Sequence, residues 1–136
     1  MNNFKHIDNK DMYPSESQHI DYAEVYRAVK STDTLVVDDF LPSNVEYANK
    51  GRIFRGLITQ DYYGVSLFTD LESLKNNLKR FPALADTIKA YAKGFTSKNR
   101  GVSTRKDKRN HVNYYLYDYV NNSPKDDFSI VEVKEK

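Results

Sequence analysis

The chain has 136 residues, enough for one domain whose core needs no covalent staple. It contains no cysteine, which excludes disulfides, thiolate chemistry and cysteine-type zinc sites. The formal net charge of +2 is too small to imply nucleic-acid binding on its own, and no apolar run approaches the roughly 18 residues that span a membrane. The polar N-terminus lacks the apolar stretch of a signal peptide, so the expectation is a cytoplasmic protein with no membrane partner.

Residues 1–20 carry few apolar side chains and many Asn, Asp, Lys and Ser, and read as a poorly ordered arm ahead of a single globular unit over 21–134. Tyr22 to Val29 reads as the first strand. Alternation puts Ala23, Val25, Arg27 and Val29 on one face and Tyr22, Glu24, Tyr26 and Ala28 on the other. Arg27 thus shares a face with two valines, where a guanidinium needs a partner or a cavity. Thr32 to Asn49 is punctuated by Asp38, Asp39, Pro42, Ser43 and Asn44 and reads as irregular, with Phe40 and Leu41 anchoring it on the core. Arg52 to Ile58 fits a short strand or a continuing loop.

Tyr62 to Phe68 reads as a second strand, with Gly64 marking a bulge or a close backbone approach. Thr69-Asp70-Leu71-Glu72 then has the form of a capping box, with Thr69 as the cap. Leu71, Leu74 and Leu78 follow at helical spacing, and Pro82 ends the pattern, so the principal helix spans about 70–80. Over 86–96, Ile88, Ala90 and Ala92 alternate as in a strand, while Leu84, Ile88 and Tyr91 fit a helix. The preferred reading is a turn at Pro82 to Ala85 and a strand ending near Phe95. Ser97 to Asn110 is a basic loop in which Lys98, Arg100, Arg105, Lys106, Lys108 and Arg109 face one acid, Asp107. His111 to Val120 is a strong strand, with His111, Asn113, Tyr115, Tyr117 and Tyr119 on one side. A turn at Asn121 to Pro124 leads to a last strand, Phe128 to Val133. The expected architecture is a single α+β domain with a split or strongly bent, mainly antiparallel sheet and one principal helix.

Four residues stand out chemically. A strand-borne Arg27 facing a cavity can fork onto two phosphate oxygens, and the ordinary alternative is an ion pair with a carboxylate elsewhere. Ser66 supplies a hydroxyl beside Gly64; alternatively it bonds the backbone or caps the following helix. A nucleophile elbow requires a second glycine after the serine, and Leu67-Phe68 does not supply one. His111 follows the basic loop and can hold a ribose hydroxyl or act as a base; alternatively it is a rim histidine with one backbone bond. Glu132 alternates with Phe128 and Ile130 and is the available carboxylate on the last strand. One histidine in a predicted element, with scattered acids, has no metal-ligand spacing.

The ordered segments Tyr26-Arg27-Ala28, Gly64-Val65-Ser66-Leu67-Phe68 and His111-Val112-Asn113-Tyr114-Tyr115 resemble the ADP-ribosyltransferase-like fold. Within it they resemble small bacterial effector toxins, where a Tyr-Arg-Ala strand, a Gly-x-Ser-x-Phe segment and a later histidine strand occur in the same order. The resemblance implies a split sheet that holds NAD as substrate. Arg27 would bind its phosphates, Tyr26 would stack on the nicotinamide, Ser66 would meet the nicotinamide ribose side and His111 would lie at the rim. Glu132 stands in for the catalytic carboxylate, because no Glu-x-Glu turn precedes the final strand; nor does a Ser-Thr-Ser run follow Ser66. Two other functions compete. One is a non-enzymatic phage or mobile-element module whose outward tyrosines anchor a protein partner. The other is an RNA-binding module that uses the basic loop 98–109 against phosphates and the tyrosine strand against bases.

Overall fold

The computed structural model describes residues 3–51 and 58–134, so the expectation for Arg52 to Ile58 lies almost wholly outside the described residues. Among the described residues six strands make one antiparallel sheet: β1 (Val25–Val29), β2 (Val65–Phe68), β3 (Ala90–Gly94), β4 (Gly101–Ser103), β5 (His111–Leu116) and β6 (Phe128–Val133). Their order across the sheet is β4-β5-β2-β1-β3-β6. Three α-helices accompany them among the described residues: α1 (Ser43–Asn49), α2 (Leu71–Leu78) and the single turn α3 (Pro82–Ala85). The α+β expectation holds, and no described helix is long and apolar enough to cross a membrane.

The strand alternation sorts the core onto two faces. Val25, Val29, Val65, Leu67, Ala90, Ala92, Val112, Tyr114, Leu116 and Phe128 line one face, covered by Phe40 from the loop before α1. Phe40 is fully buried and packs its ring against Phe128 at 4.9 Å, so the expected anchoring role of Phe40 is met. The opposite face carries two separate clusters. Phe68 and Tyr91 pack under Leu74 and Leu78 of α2 and Ile88. Tyr115 and Val102 pack with Tyr63, Phe4 and Ile7.

Burial of Phe4 and Ile7 corrects the expectation of a loose arm, since their exposures are only 2% and 3%. The cause lies in β5, whose Tyr115 needs cover on a face that α2 does not reach. The Lys5 amide donates to the Tyr117 carbonyl at 3.0 Å, and His6 Nε2 donates to the Tyr63 carbonyl at 2.7 Å. Further along, the Ile20 amide donates to the Ser103 carbonyl at 2.9 Å and His19 Nδ1 accepts from the Ser103 amide at 3.0 Å. These bonds cover the outer edge of β4, which would otherwise offer unpaired backbone groups.

Other boundaries shift for local reasons. The first strand begins at Val25; ahead of it Tyr22 is tied to Thr96 beyond β3, its amide donating to Thr96 Oγ1 and its carbonyl accepting from the Thr96 amide, while its hydroxyl donates to the Thr104 carbonyl. Residues Gln60–Tyr63 form a 3-10 turn ahead of β2. The cap of α2 is Asp70, not Thr69: its carboxylate accepts from the Ser73 amide at 2.8 Å, a stronger acceptor than a hydroxyl. The turn at Pro82 to Ala85 and the strand after it appear as expected. The basic loop contains the short strand β4, and the tyrosine strand stops at Leu116.

His6 gives the fold a pH dependence. Burial pushes its pKa below the ordinary 6.5, and the bond to Tyr63 only partly opposes this. The unfolded chain therefore takes up the proton more readily. Stability is complete above the ordinary value and is lost as pH falls through it towards the lower folded value. His111 is lowered too and acts in the same direction. The melting temperature should be lower at about pH 5.5 than at about pH 7.5. Circular dichroism should show a smaller difference in His6→Gln, whereas an equal drop in that variant would remove His6 from the account.

Candidate functional site

β1 forms five register pairs with β3, from Val25↔Gly94 to Val29↔Ala90, but only one with β2, Tyr26↔Phe68. Beyond that pair the two strands part, and the side chain of Arg27 enters the gap. Its Nη1 donates to the Ser66 carbonyl at 2.9 Å, a main-chain acceptor on the β2 edge facing β1. Nε donates to the Asp39 carbonyl at 2.6 Å, and Nη2 lies 3.5 Å from Glu46 Oε1 on α1. The guanidinium also lies 5.9 Å from the Phe40 ring centroid. Arg27 thereby ties β1, β2, the loop before α1 and α1 together. Burial pushes its pKa down, and Glu46 and Asp39 oppose that; an arginine stays charged regardless.

The split opens into a cleft of about 780 Å³, within the range of small-molecule sites. One wall is polar: Arg27, Lys30, Asp38, Asp39, Glu46, Tyr47 and Lys50. The other comes from α2 and α3 and is largely apolar, with Leu74, Leu78, Phe81, Leu84 and Ile88, and Arg80 at its end. Among the lining residues four cations (Arg27, Lys30, Lys50, Arg80) face three acids (Asp38, Asp39, Glu46). The Asp39 carboxylate is already occupied by the amides of Lys30, Ser31 and Val36 and by the Ser31 hydroxyl. Phe81 is 48% exposed at the lip, with the Arg80 guanidinium 5.8 Å from its ring centroid.

The expected site residues are only partly brought together. Arg27 and Ser66 both line the cleft, yet strand alternation sends their side chains to opposite faces of the sheet, so they meet only through the Ser66 carbonyl. On the far face, Ser66 Oγ lies 3.0 Å from His111 Nε2, across the β2–β5 ladder. His111 Nδ1 faces Asp107 Oδ2 at 3.9 Å, and Asp107 Oδ1 accepts from the amides of both Arg109 and His111. Burial pushes the Asp107 carboxyl up, but those backbone bonds and the charges of His111 and Arg109 outweigh it and hold the carboxyl below its ordinary value. Burial holds the His111 imidazole below its ordinary value, against the pull of Asp107 and Asp61, so it is neutral at neutral pH.

Tyr26 does not line the cleft. Its hydroxyl donates to Glu24 Oε2 at 2.9 Å and its ring packs beside Phe68 and Tyr91. Glu132 is also elsewhere, on the edge strand β6, bonded to Lys75 Nζ at 2.6 Å. A bulge explains it: Ala92 pairs with Ile130 but Tyr91 with Glu132, so the extra residue turns Glu132 away from the face of Phe128 and Ile130. Arg100 is withdrawn from the basic loop's surface, forked onto Asp127 and bonded to Asn122 and the Ser123 carbonyl. Tyr114 and Tyr115 are buried, so that part of the tyrosine strand is core and offers no stacking surface. Burial pushes the Tyr114 hydroxyl up to about 12, where it exchanges bonds with the Ser97 backbone.

Sequence reasoning missed Glu46, Arg80 and Phe81 as cleft residues and Asp107 as the partner of His111. The i, i+4 spacing of Asp107 and His111 was visible, but only the loop's return to β5 makes them neighbours. No group of three or more His, Asp or Glu among the described residues could hold a metal ion. No family model, curated protein or solved structure matches this chain.

Replacing Arg27 by Met should leave the Ser66 and Asp39 carbonyls and Glu46 without their cation, lowering stability by roughly 2–3 kcal/mol in denaturant unfolding. Arg27→Lys should recover only a small part, because an ammonium cannot span three acceptors in one plane.

Proposed function

We propose that the cleft at the β1–β2 split binds a phosphate-bearing nucleotide, with NAD as the expected ligand. The observation that carries this reading is the lining itself. Cations from both walls, Lys30, Lys50 and Arg80, surround one opening, and exposed Phe81 stands at its lip. Phosphates are recognised by such cations and bases by ring faces. Arg27 contributes positive potential from the floor, although its N–H groups are largely engaged by protein acceptors.

Transfer of ADP-ribose would need a carboxylate beside the developing oxocarbenium ion. Glu132 does not line the cleft, and of the three acids that do, Asp39 is fully engaged, Glu46 is paired with Arg27 and Asp38 is exposed on the polar wall. In this reading the protein is a nucleotide-binding module first, and an ADP-ribosyltransferase-like toxin or effector only if Asp38, or Glu46 released from Arg27 by the ligand, supplies that carboxylate. A specific observation favours a second reading: Arg105, Lys106, Lys108 and Arg109 are all exposed on the loop before β5, as a polyanion contact requires.

Because Arg27 braces the fold, variants at the exposed lip are the informative ones. Ligand-observed NMR should detect saturable NAD binding to the wild type. Arg80→Ser should weaken it roughly tenfold with an unchanged melting temperature, and Phe81→Ser should weaken it too. Absence of binding at about 1 mM NAD would discard the cofactor reading. Steeply salt-dependent binding of a generic oligonucleotide, lost when the four exposed loop cations are replaced, would then favour the second.

A further inference from the structure

On the face that carries α2, two apolar clusters leave a polar interval between them, occupied by Ser66, His111 and Asn113. Ser66 is partly exposed and lines the cleft, while His111 closes the pair from the neighbouring strand. The geometry is that of a hydroxyl beside a base: Oγ to Nε2 is 3.0 Å, and Nδ1 is turned towards the Asp107 carboxylate. With Asp107 on the Nδ1 side, the neutral tautomer bearing its proton on Nδ1 turns that N–H dipole towards the carboxylate and leaves Nε2 as the acceptor of the Ser66 proton. The next wall of the cleft on this face is apolar, built from Leu74, Leu78 and Ile88.

We propose that Ser66 is an acyl-accepting nucleophile with His111 as its general base, acting on esters with an apolar acyl group. As the Ser66 Oγ bonds to the ester carbonyl carbon, its proton passes to His111 Nε2. The ester C–O bond breaks and the departing alkoxide takes that proton, leaving an acyl-serine and an alcohol. Water then repeats the sequence: it gives a proton to His111 and its oxygen to the carbonyl carbon. The serine leaves with the proton returned, and a carboxylic acid is released. Asp107 is a positioning residue, holding the start of β5 through two backbone bonds and facing the imidazole. Ser66 sits within β2 and not on a glycine-flanked elbow, and its base comes from the adjacent strand β5.

The proposal does not rest on nucleotide binding, and its test reads out separately. An alkyl fluorophosphonate reacts at an activated serine: the Oγ–P bond forms, the P–F bond breaks and HF is released. Intact-mass and peptide analysis of the wild type should find a single adduct on Ser66, and hydrolysis of p-nitrophenyl butyrate should accompany it. Both should vanish in Ser66→Ala and fall by roughly 100-fold in His111→Gln, with circular dichroism confirming the fold of each. In Asp107→Asn the His111 pKa read by NMR should fall, since a carboxylate that raises it is removed while Asp61 remains facing the ring. No adduct on the folded wild-type protein, or adducts scattered over several serines, would overturn the proposal. So would undiminished labelling of Ser66 in folded His111→Gln.

Discussion

A single guanidinium determines how the centre of this sheet is built. Where β1 and β2 would continue their ladder past Tyr26 and Phe68, Arg27 instead supplies the donor for the Ser66 carbonyl. A buried main-chain acceptor must be paired, and a buried cation must be surrounded by acceptors. Each requirement here satisfies the other. The same side chain holds the Asp39 carbonyl and Glu46, so the loop before α1, and α1 itself, are located by the group that opens the split. The cleft is a consequence of that exchange of a strand–strand bond for a side chain–strand bond.

The rest of the domain covers two faces of a six-stranded sheet with few helices. One face is closed by irregular chain, with Phe40 against Phe128, and the other by α2 on one half and by the N-terminal segment on the other. Side chains with several donors or acceptors stabilise the irregular cover. Asp39 gathers three amides and a hydroxyl, and Arg100 forks onto Asp127 while holding the Asn122–Ser123 turn. Charged residues that look like surface chemistry in the sequence thus act as internal joints.

The separation of the two faces also separates two chemistries. Arg27 and its acceptors occupy one side of the split, while Ser66 and His111 occupy the other. A cleft passing between parted strands meets both, so a polar, cationic wall, an apolar wall and Ser66 share one opening, with His111 bonded to Ser66 from the neighbouring strand. Neither Tyr26 nor Glu132 joins them, the first because its hydroxyl is held by Glu24 and the second because a bulge turns it towards Lys75.

Local periodicity carried much of the architecture. Alternation placed Arg27 with Val25 and Val29, helical spacing found Leu74 and Leu78, and Pro82 marked the end of α2. These patterns are legible because each follows from the geometry of one element. The N-terminal cover was not legible: Phe4 and Ile7 are isolated apolar residues in a polar stretch, and their burial depends on the uncovered Tyr115 far along the chain. The true cap of α2 was missed because Thr69 with Glu72 three residues on has the form of a capping box, whereas Asp70 caps through the Ser73 amide without such a partner. By itself the sequence determined a cysteine-free α+β domain with an arginine forced into its core and a serine and a histidine on strands. Only the tertiary structure decided that the arginine parts two strands while the serine and histidine meet on the opposite face. Register and bulges set which side chains become neighbours, and both depend on pairing between segments far apart in the chain.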